Sequence, residues 1–123
     1  MSAMIDTPGS LLLTPHGDLV EIQLPADSDK RLTVMYAVLR CRFVDVVALT
    51  TRLDMWIDDE GMYTHVDDVN VPATLLARRH GFTHQPYYGP VLLTGGVDDE
   101  GDTVPVTRDG THALLTALRD TTE

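Results

Sequence analysis

The tetrapeptide Asp-Asp-Glu-Gly occurs twice in this chain, at residues 58–61 and again at residues 98–101. Asp102 follows the second copy, so four carboxylates fall within residues 98–102. Clustered carboxylates can hold a divalent cation, and a bound cation can activate water for hydrolysis. A small divalent-metal-dependent hydrolase or nucleotide-processing enzyme that uses the acidic loop at residues 98–102 is therefore one function to consider.

The second copy does not match a calcium loop of the EF-hand type. Asp98, Glu100 and Asp102 supply oxygens at the first, third and fifth positions of such a loop, but Thr103 stands where it requires glycine. Asp109 replaces the glutamate that completes the site. Aspartate and glycine are also the residues that tight turns favour. We therefore interpret both copies as solvated acidic turns and expect no metal ligand.

The other chemistry-bearing residues form no catalytic motif. His80 and His84 are four residues apart, but Gly81 between them ends the helix that would put both side chains on one face. Cys41 could be drawn into a thiol triad with any of the five histidines, yet its place at the end of an apolar helical stripe is typical of a small buried hydrophobe. We expect no catalytic residue and no cofactor, and we favour a non-enzymatic protein over an enzyme.

Net charge narrows the choice of partners. Nineteen acidic residues outnumber nine basic ones, which gives a net charge of −10 at pH 7. A surface this negative repels phosphate groups, so we expect neither direct nucleic-acid binding nor membrane binding. The expected partner is a protein with a basic surface, and a homodimer is also open. The acidic face predicted to bind the partner, by imitating the charge of nucleic acid, comprises Asp58, Asp59, Glu60, Asp67, Asp68, Asp98, Asp99, Glu100 and Asp102.

A second surface could make the contact instead. Arg78 and Arg79 end a predicted helix, and Tyr87 and Tyr88 follow it closely in the chain. Exposed arginine and tyrosine side chains often anchor protein interfaces. The same pattern also fits a helix C-terminus beside a packed loop. If this patch binds the partner, the negative charge serves solubility only.

Cysteine usage and the N-terminal residues bear on the compartment. Cys41 is the single cysteine, which excludes an internal disulfide and suits a reducing environment. The first residues carry no basic region, and the apolar run at residues 11–13 is too short for a signal peptide or a membrane span. We expect a cytoplasmic protein.

The pattern of apolar residues predicts an α+β fold. A chain of 123 residues suits one domain, which we place at residues 10–123 after a flexible N-terminus of residues 1–9. The predicted order of elements is β-β-α-β-β-β-α-β-α. This order indicates a largely antiparallel sheet built from hairpins, with about three helices packed on one face.

Two hairpins are predicted, over residues 10–24 and 53–66, and each acidic turn is expected to contain a glycine with positive φ, at Gly61 and Gly101. The other predicted elements are helices over residues 28–41, 70–80 and 107–119, and strands over residues 43–50 and 90–94.

Two helices carry specific signals. In the helix over residues 28–41, the spacing of Leu32, Met35 and Leu39 places these side chains on one buried stripe. The helix before Gly81 has Asn70 as its predicted N-cap.

Three segments resemble one family of proteins. Residues 55–61 form an apolar strand that ends in an acidic-glycine turn, residues 70–74 an Asn-x-x-Ala-Thr helix start, and residues 88–102 a Gly-x-apolar-Thr-Gly strand followed by an acidic turn. This pattern is similar to a small family of phage and plasmid proteins known only as domain of unknown function 3846. The resemblance implies a mobile-element origin and an accessory role during infection or transfer. The basic partner would then be a host protein that the chain inhibits or modulates in the host cytoplasm.

Overall fold

The computed structural model describes residues 9–122. Within that range the chain forms five strands and four helices, and the strands make one sheet in the order β2-β1-β5-β4-β3 with every neighbouring pair antiparallel. The elements are β1 Ser10–Leu13, β2 Leu19–Ile22, α1 Ser28–Leu39, β3 Val44–Thr50, β4 Leu53–Asp58, α2 Gly61–Thr64, α3 Val71–Arg79, β5 Val91–Thr94 and α4 Arg108–Thr122.

Strand β5 lies at the centre of the sheet because it pairs with both hairpins. It joins β1 through the pair Leu12 and Leu92, and it joins β4 through the pair Trp56 and Leu92. All four residues of β5 are buried. A strand with no exposed position requires cover on both faces of the sheet.

Helices supply that cover on both faces. Leu92 packs on one face against Met35 and Leu39 of α1. Leu93 points to the other face and belongs to a cluster with Leu76 of α3 and Leu114 of α4. The predicted α+β class and largely antiparallel sheet are confirmed. The helices, however, lie on both faces rather than on one, because successive residues of β5 alternate between two apolar layers.

Helix α1 confirms the predicted apolar stripe. The carboxylate of Asp27 accepts hydrogen bonds from the backbone N–H groups of Asp29 and Lys30, which caps the first turn. Met35 and Leu39 are buried, and Leu32 is partly buried in the same cluster. The helix ends at Arg40, whose φ of 52° lies in the left-handed region.

The predicted hairpin over residues 53–66 is wrong. After β4 the chain enters the short helix α2, and Gly61 is its first residue rather than a turn residue with positive φ. The strand that forms a hairpin with β4 is β3, and residues Thr51 and Arg52 connect the two strands. Gly61 is needed for space instead, since a Cβ atom there would lie 3.0 Å from the carbonyl oxygen of Tyr88. Gly101 has the expected positive φ, at 83°.

Gly9, the last residue of the segment predicted to be flexible, is paired with a distant part of the chain. Gly9 is buried, and its backbone pairs with Val106 through hydrogen bonds of 3.3 and 2.8 Å. The rest of the segment predicted to be flexible, residues 1–8, lies outside the described residues.

Leu39 tests the packing of α1 on the sheet. Leu39→Ala removes a side chain with 0% exposure, so we expect it to lower the free energy of unfolding by ~2–4 kcal/mol in urea titration. Val20→Ala, at a position that is 45% exposed on the outer strand β2, is the control and should cost less than ~0.5 kcal/mol. Equal losses in the two variants would contradict the assigned core.

Candidate functional site

The first acidic turn is directed into the protein. Asp58, the last residue of β4, is 5% exposed. One of its carboxylate oxygens accepts the backbone N–H of Glu60 at 2.8 Å, and the other accepts the hydroxyl of Thr64. These bonds hold α2 against the end of β4. They explain why the chain forms a short helix after this strand instead of a β-hairpin. Asp58 therefore has a structural role.

His65 completes this buried corner. Its Nε2 lies 3.2 Å from Asp58 Oδ2, a distance that permits an ion pair when the imidazole is protonated, although the two groups do not have hydrogen-bond geometry. The ring packs on the backbone of Gly89, where a Cβ atom would come within 2.6 Å of Cγ of His65. Gly89 also has a φ of 76°, so both space and backbone conformation require glycine there. The corner joins β4 to the segment that enters β5.

The remaining acids of the first copy differ in their partners. Glu60 binds Arg42 through hydrogen bonds of 2.9 and 3.2 Å from one guanidinium nitrogen. Asp59 is exposed, and only its backbone is engaged, through its N–H to the carbonyl of Phe43. Asp67 and Asp68 are exposed near the same end of the sheet, where the Asp68 carbonyl accepts the N–H of Gly89. Of the five acids of the predicted face at this end, three are exposed and without a basic partner among the described residues: Asp59, Asp67 and Asp68.

The second acidic turn is directed to solvent. Asp98 Oδ1 accepts the backbone N–H groups of Glu100 at 2.9 Å and Asp102 at 3.0 Å, so this carboxylate stabilises its own loop. An isolated bridge between Val97 and Thr103 closes the loop. All four acids are exposed: Asp98, Asp99, Glu100 and Asp102.

One cation approaches this loop. Arg31 lies 3.9 Å from Asp102, but its guanidinium also donates to the carbonyl of Ala26, and its side chain is only 12% exposed. Between residues 9 and 122, no group of three or more His, Cys, Asp or Glu side chains is arranged to hold a metal ion.

The two acidic turns lie at opposite ends of the sheet. Strands β4 and β5 are antiparallel, and Asp54 of β4 pairs with Thr94 at the end of β5 that leads to the second turn. The four-residue step from Asp54 to Asp58 spans roughly 13 Å. The nine acids of the proposed acidic face therefore lie on two separate surfaces, a point that the sequence leaves open.

The alternative basic and aromatic patch is not brought together either. Arg78 and Arg79 are exposed at the C-terminal end of α3. Tyr87 is 4% exposed and lies at the opposite end of that helix, where its N–H donates to Thr74 Oγ1 at 2.9 Å. Tyr88 is half-buried beside the Asp58 corner. Tyr87 therefore belongs to the core, Tyr88 lies at the Asp58 corner, and the two arginines lie on the surface.

Asn70 links three elements at the start of α3. Its side-chain oxygen accepts the N–H of Ala73 at 3.0 Å, which confirms the predicted N-cap. Its amide nitrogen donates to the carbonyl of Leu13 at 3.0 Å and to that of Gly89 at 2.8 Å. The side chain is fully buried. The Asn-x-x-Ala-Thr pattern predicts the N-cap. The hydrogen bonds from Asn70 to β1 and to the segment before β5 are tertiary contacts, which no local sequence pattern predicts.

Cys41 is not an activated nucleophile. Burial, reinforced by the negative charge of Asp58, raises the pKa of its thiol from 9.0 to about 11, although a hydrogen bond from the Phe43 backbone opposes the shift. Since a nucleophilic cysteine requires the thiolate form, the position is unsuited to covalent catalysis near neutral pH.

The family of the chain follows from its sequence. The family model for a domain of unknown function, DUF3846, matches residues 9–118, and the chain belongs to that family. No curated protein and no solved structure matches the chain. Across the part of the chain that the structure describes, the helices are all too short or too polar to cross a bilayer. The match extends from β1 to the last turns of α4, so it describes nearly the whole fold.

The raised pKa of Cys41 predicts how the thiol reacts. In the folded protein the rate of alkylation by iodoacetamide should be half-maximal near pH 11, whereas in the urea-unfolded chain it should be half-maximal near pH 9.0. Because the folded state retains a proton that the unfolded state loses, the free energy of unfolding should fall as pH rises across this interval. A folded-state midpoint at or below 9.0 would show that Asp58 and burial do not act on the thiol.

Proposed function

We propose that the protein is a small non-enzymatic accessory protein whose second acidic turn binds a basic surface of a host protein. One observation supports this proposal. The loop at residues 98–102 is stabilised by its own hydrogen bonds and exposes its carboxylates to solvent. Asp99 and Glu100 have no basic group within 4.0 Å among the described residues. The host context rests on the resemblance to phage and plasmid proteins.

The hydrogen bonds within this loop favour a role in partner binding. Two backbone N–H groups bind Asp98, and Gly101 adopts its positive φ with no heavy atom near the missing Cβ position. A loop that is ordered before binding loses less conformational entropy when it meets a partner. Charges fixed in this way can take the places of phosphates in a nucleic-acid-binding groove and accelerate association with it.

The first acidic turn has a different role in this proposal. Two of its three acids are engaged, Asp58 in the buried corner and Glu60 with Arg42. Asp67 and Asp68 lie at that end of the sheet and provide an exposed acidic pair of equal charge. They serve as the matched control for a charge-reversal experiment.

The experiment measures association kinetics. The immobilised protein first captures its partner from host lysate, and the purified partner is then measured against two variants, Asp99→Lys with Glu100→Lys and Asp67→Lys with Asp68→Lys. Reversal in the second turn should slow association by ~10-fold or more, whereas reversal of the control pair should change it far less. The effect should diminish with added salt, because exposed charges are screened over ~8–10 Å.

Two results would contradict the proposal. Equal slowing by both variants would show that net charge matters and the second turn does not. A rise of the thermal midpoint with Mg²⁺, Mn²⁺ or Ca²⁺ that the Asp99 and Glu100 variant abolishes would instead favour the metal-dependent hydrolase.

A further inference from the structure

A hollow lies between α3, α4 and the connection from β3 to β4, on the face of the sheet away from α1. Its volume is about 250 Å³. Its apolar base includes Leu53, Leu76 and Leu114. Neither acidic turn contributes to it, so this surface is independent of the proposed partner contact.

Small residues of α4 create the hollow. Gly110, Ala113 and Ala117 line it, and their spacing of three and four residues places them on one side of the helix. Larger side chains at these positions would reach the neighbouring Leu53 and Leu76 and close the space. The hollow is therefore a consequence of the sequence of α4, not of a loop conformation.

Two arginines and a histidine contribute to the lining of the hollow. Arg52, Arg79 and His80 line it, while no acid among residues 9–122 does so. Among the described residues, neither Arg52 nor Arg79 has a carboxylate oxygen within 4.0 Å. In a chain with a net charge of −10, two arginines beside one apolar surface that meet no carboxylate of the described residues require an explanation.

The end of a helix explains only part of this arrangement. Arg79 and His80 lie at the C-terminal end of α3, where cations interact favourably with the helix dipole. Arg52 comes from the connection between two strands and has no helix end to stabilise. Its convergence with Arg79 on the same hollow indicates a common anionic ligand.

We propose that this hollow binds a small carboxylate with an apolar body, such as a medium-chain fatty acid. The volume is below the ~300–1,000 Å³ of sites for drug-sized ligands, which limits the ligand to a short apolar body. The guanidinium groups of Arg52 and Arg79 bind the carboxylate, because planar forked donors suit its two oxygens. The leucine floor and the small face of α4 receive the apolar body.

The test uses octanoate as the probe and the full chain as the receptor. Acetate lacks the apolar body and n-octanol lacks the charge, so the three compounds separate the two halves of the site. Titration followed by NMR should show saturable shifts of the backbone amides of Leu53, Ala113 and Ala117 with octanoate. Acetate and n-octanol should bind at least ~10-fold more weakly.

Variants locate the binding. Arg52→Gln and Arg79→Gln should each weaken octanoate binding by ~5-fold or more, while Arg78→Gln, a change at the adjacent exposed arginine that does not line the hollow, should leave it unchanged. Ala113→Leu should abolish binding by filling the space. Circular dichroism of each variant confirms that the fold is retained.

Three results would overturn the proposal. No saturable shift below ~10 mM octanoate would show that the hollow does not bind this class of ligand. Octanoate binding that survives Ala113→Leu would place the ligand elsewhere. Equal binding of n-octanol together with no effect of the arginine variants would reduce the hollow to an unselective apolar surface.

Discussion

A single buried amide fixes the position of helix α3 against the sheet. Asn70 caps α3 through its side-chain oxygen, and its amide nitrogen donates to carbonyls of Leu13 and Gly89. Those carbonyls lie at the end of β1 and just before β5, so one side chain fixes where α3 begins relative to two adjacent strands. Buried carbonyls without a donor are costly, which leaves few residue types acceptable at this position. The hollow and the exposed arginines of α3 depend on the placement of that helix.

The two acidic tetrapeptides show that neighbouring elements decide what a motif does. In the first copy, Asp58 at the end of β4 is buried and binds Glu60 and Thr64, and the chain continues into helix α2. In the second copy, Asp98 binds only backbone groups of its own loop, and Gly101 takes the left-handed conformation. The difference lies in what surrounds each copy: Tyr88, Gly89 and His65 enclose the first, whereas the second faces solvent. The same four residues therefore support packing at one end of the sheet and present charge at the other.

The extent to which the sequence predicts this structure follows the range of each interaction. The first hairpin, the stripe of α1, the Asn70 cap and the turn at Gly101 rest on local preferences, and the structure has them as predicted. Helix α2, which begins at Gly61, depends on the buried carboxylate of Asp58. The packing of helices on both faces of the sheet depends on the central position of β5. Neither feature could be inferred from local periodicity. The sequence leaves open whether the two acidic turns share a face, because the antiparallel pairing of β4 with β5 is what places them at opposite ends of the sheet. The only trace of the hollow in the sequence is the spacing of the small residues Gly110, Ala113 and Ala117 in α4.

The most direct test of the role of Asn70 compares two helix caps. Asp27→Ala removes an exposed cap from α1, and Asn70→Ala removes a buried cap together with the donors to two carbonyls. Urea unfolding should show a loss of ~1 kcal/mol for Asp27→Ala and ~3 kcal/mol or more for Asn70→Ala, because each orphaned carbonyl adds its own desolvation cost. Similar losses of ~1 kcal/mol in both variants would mean that Asn70 serves only as a cap and that other contacts position α3.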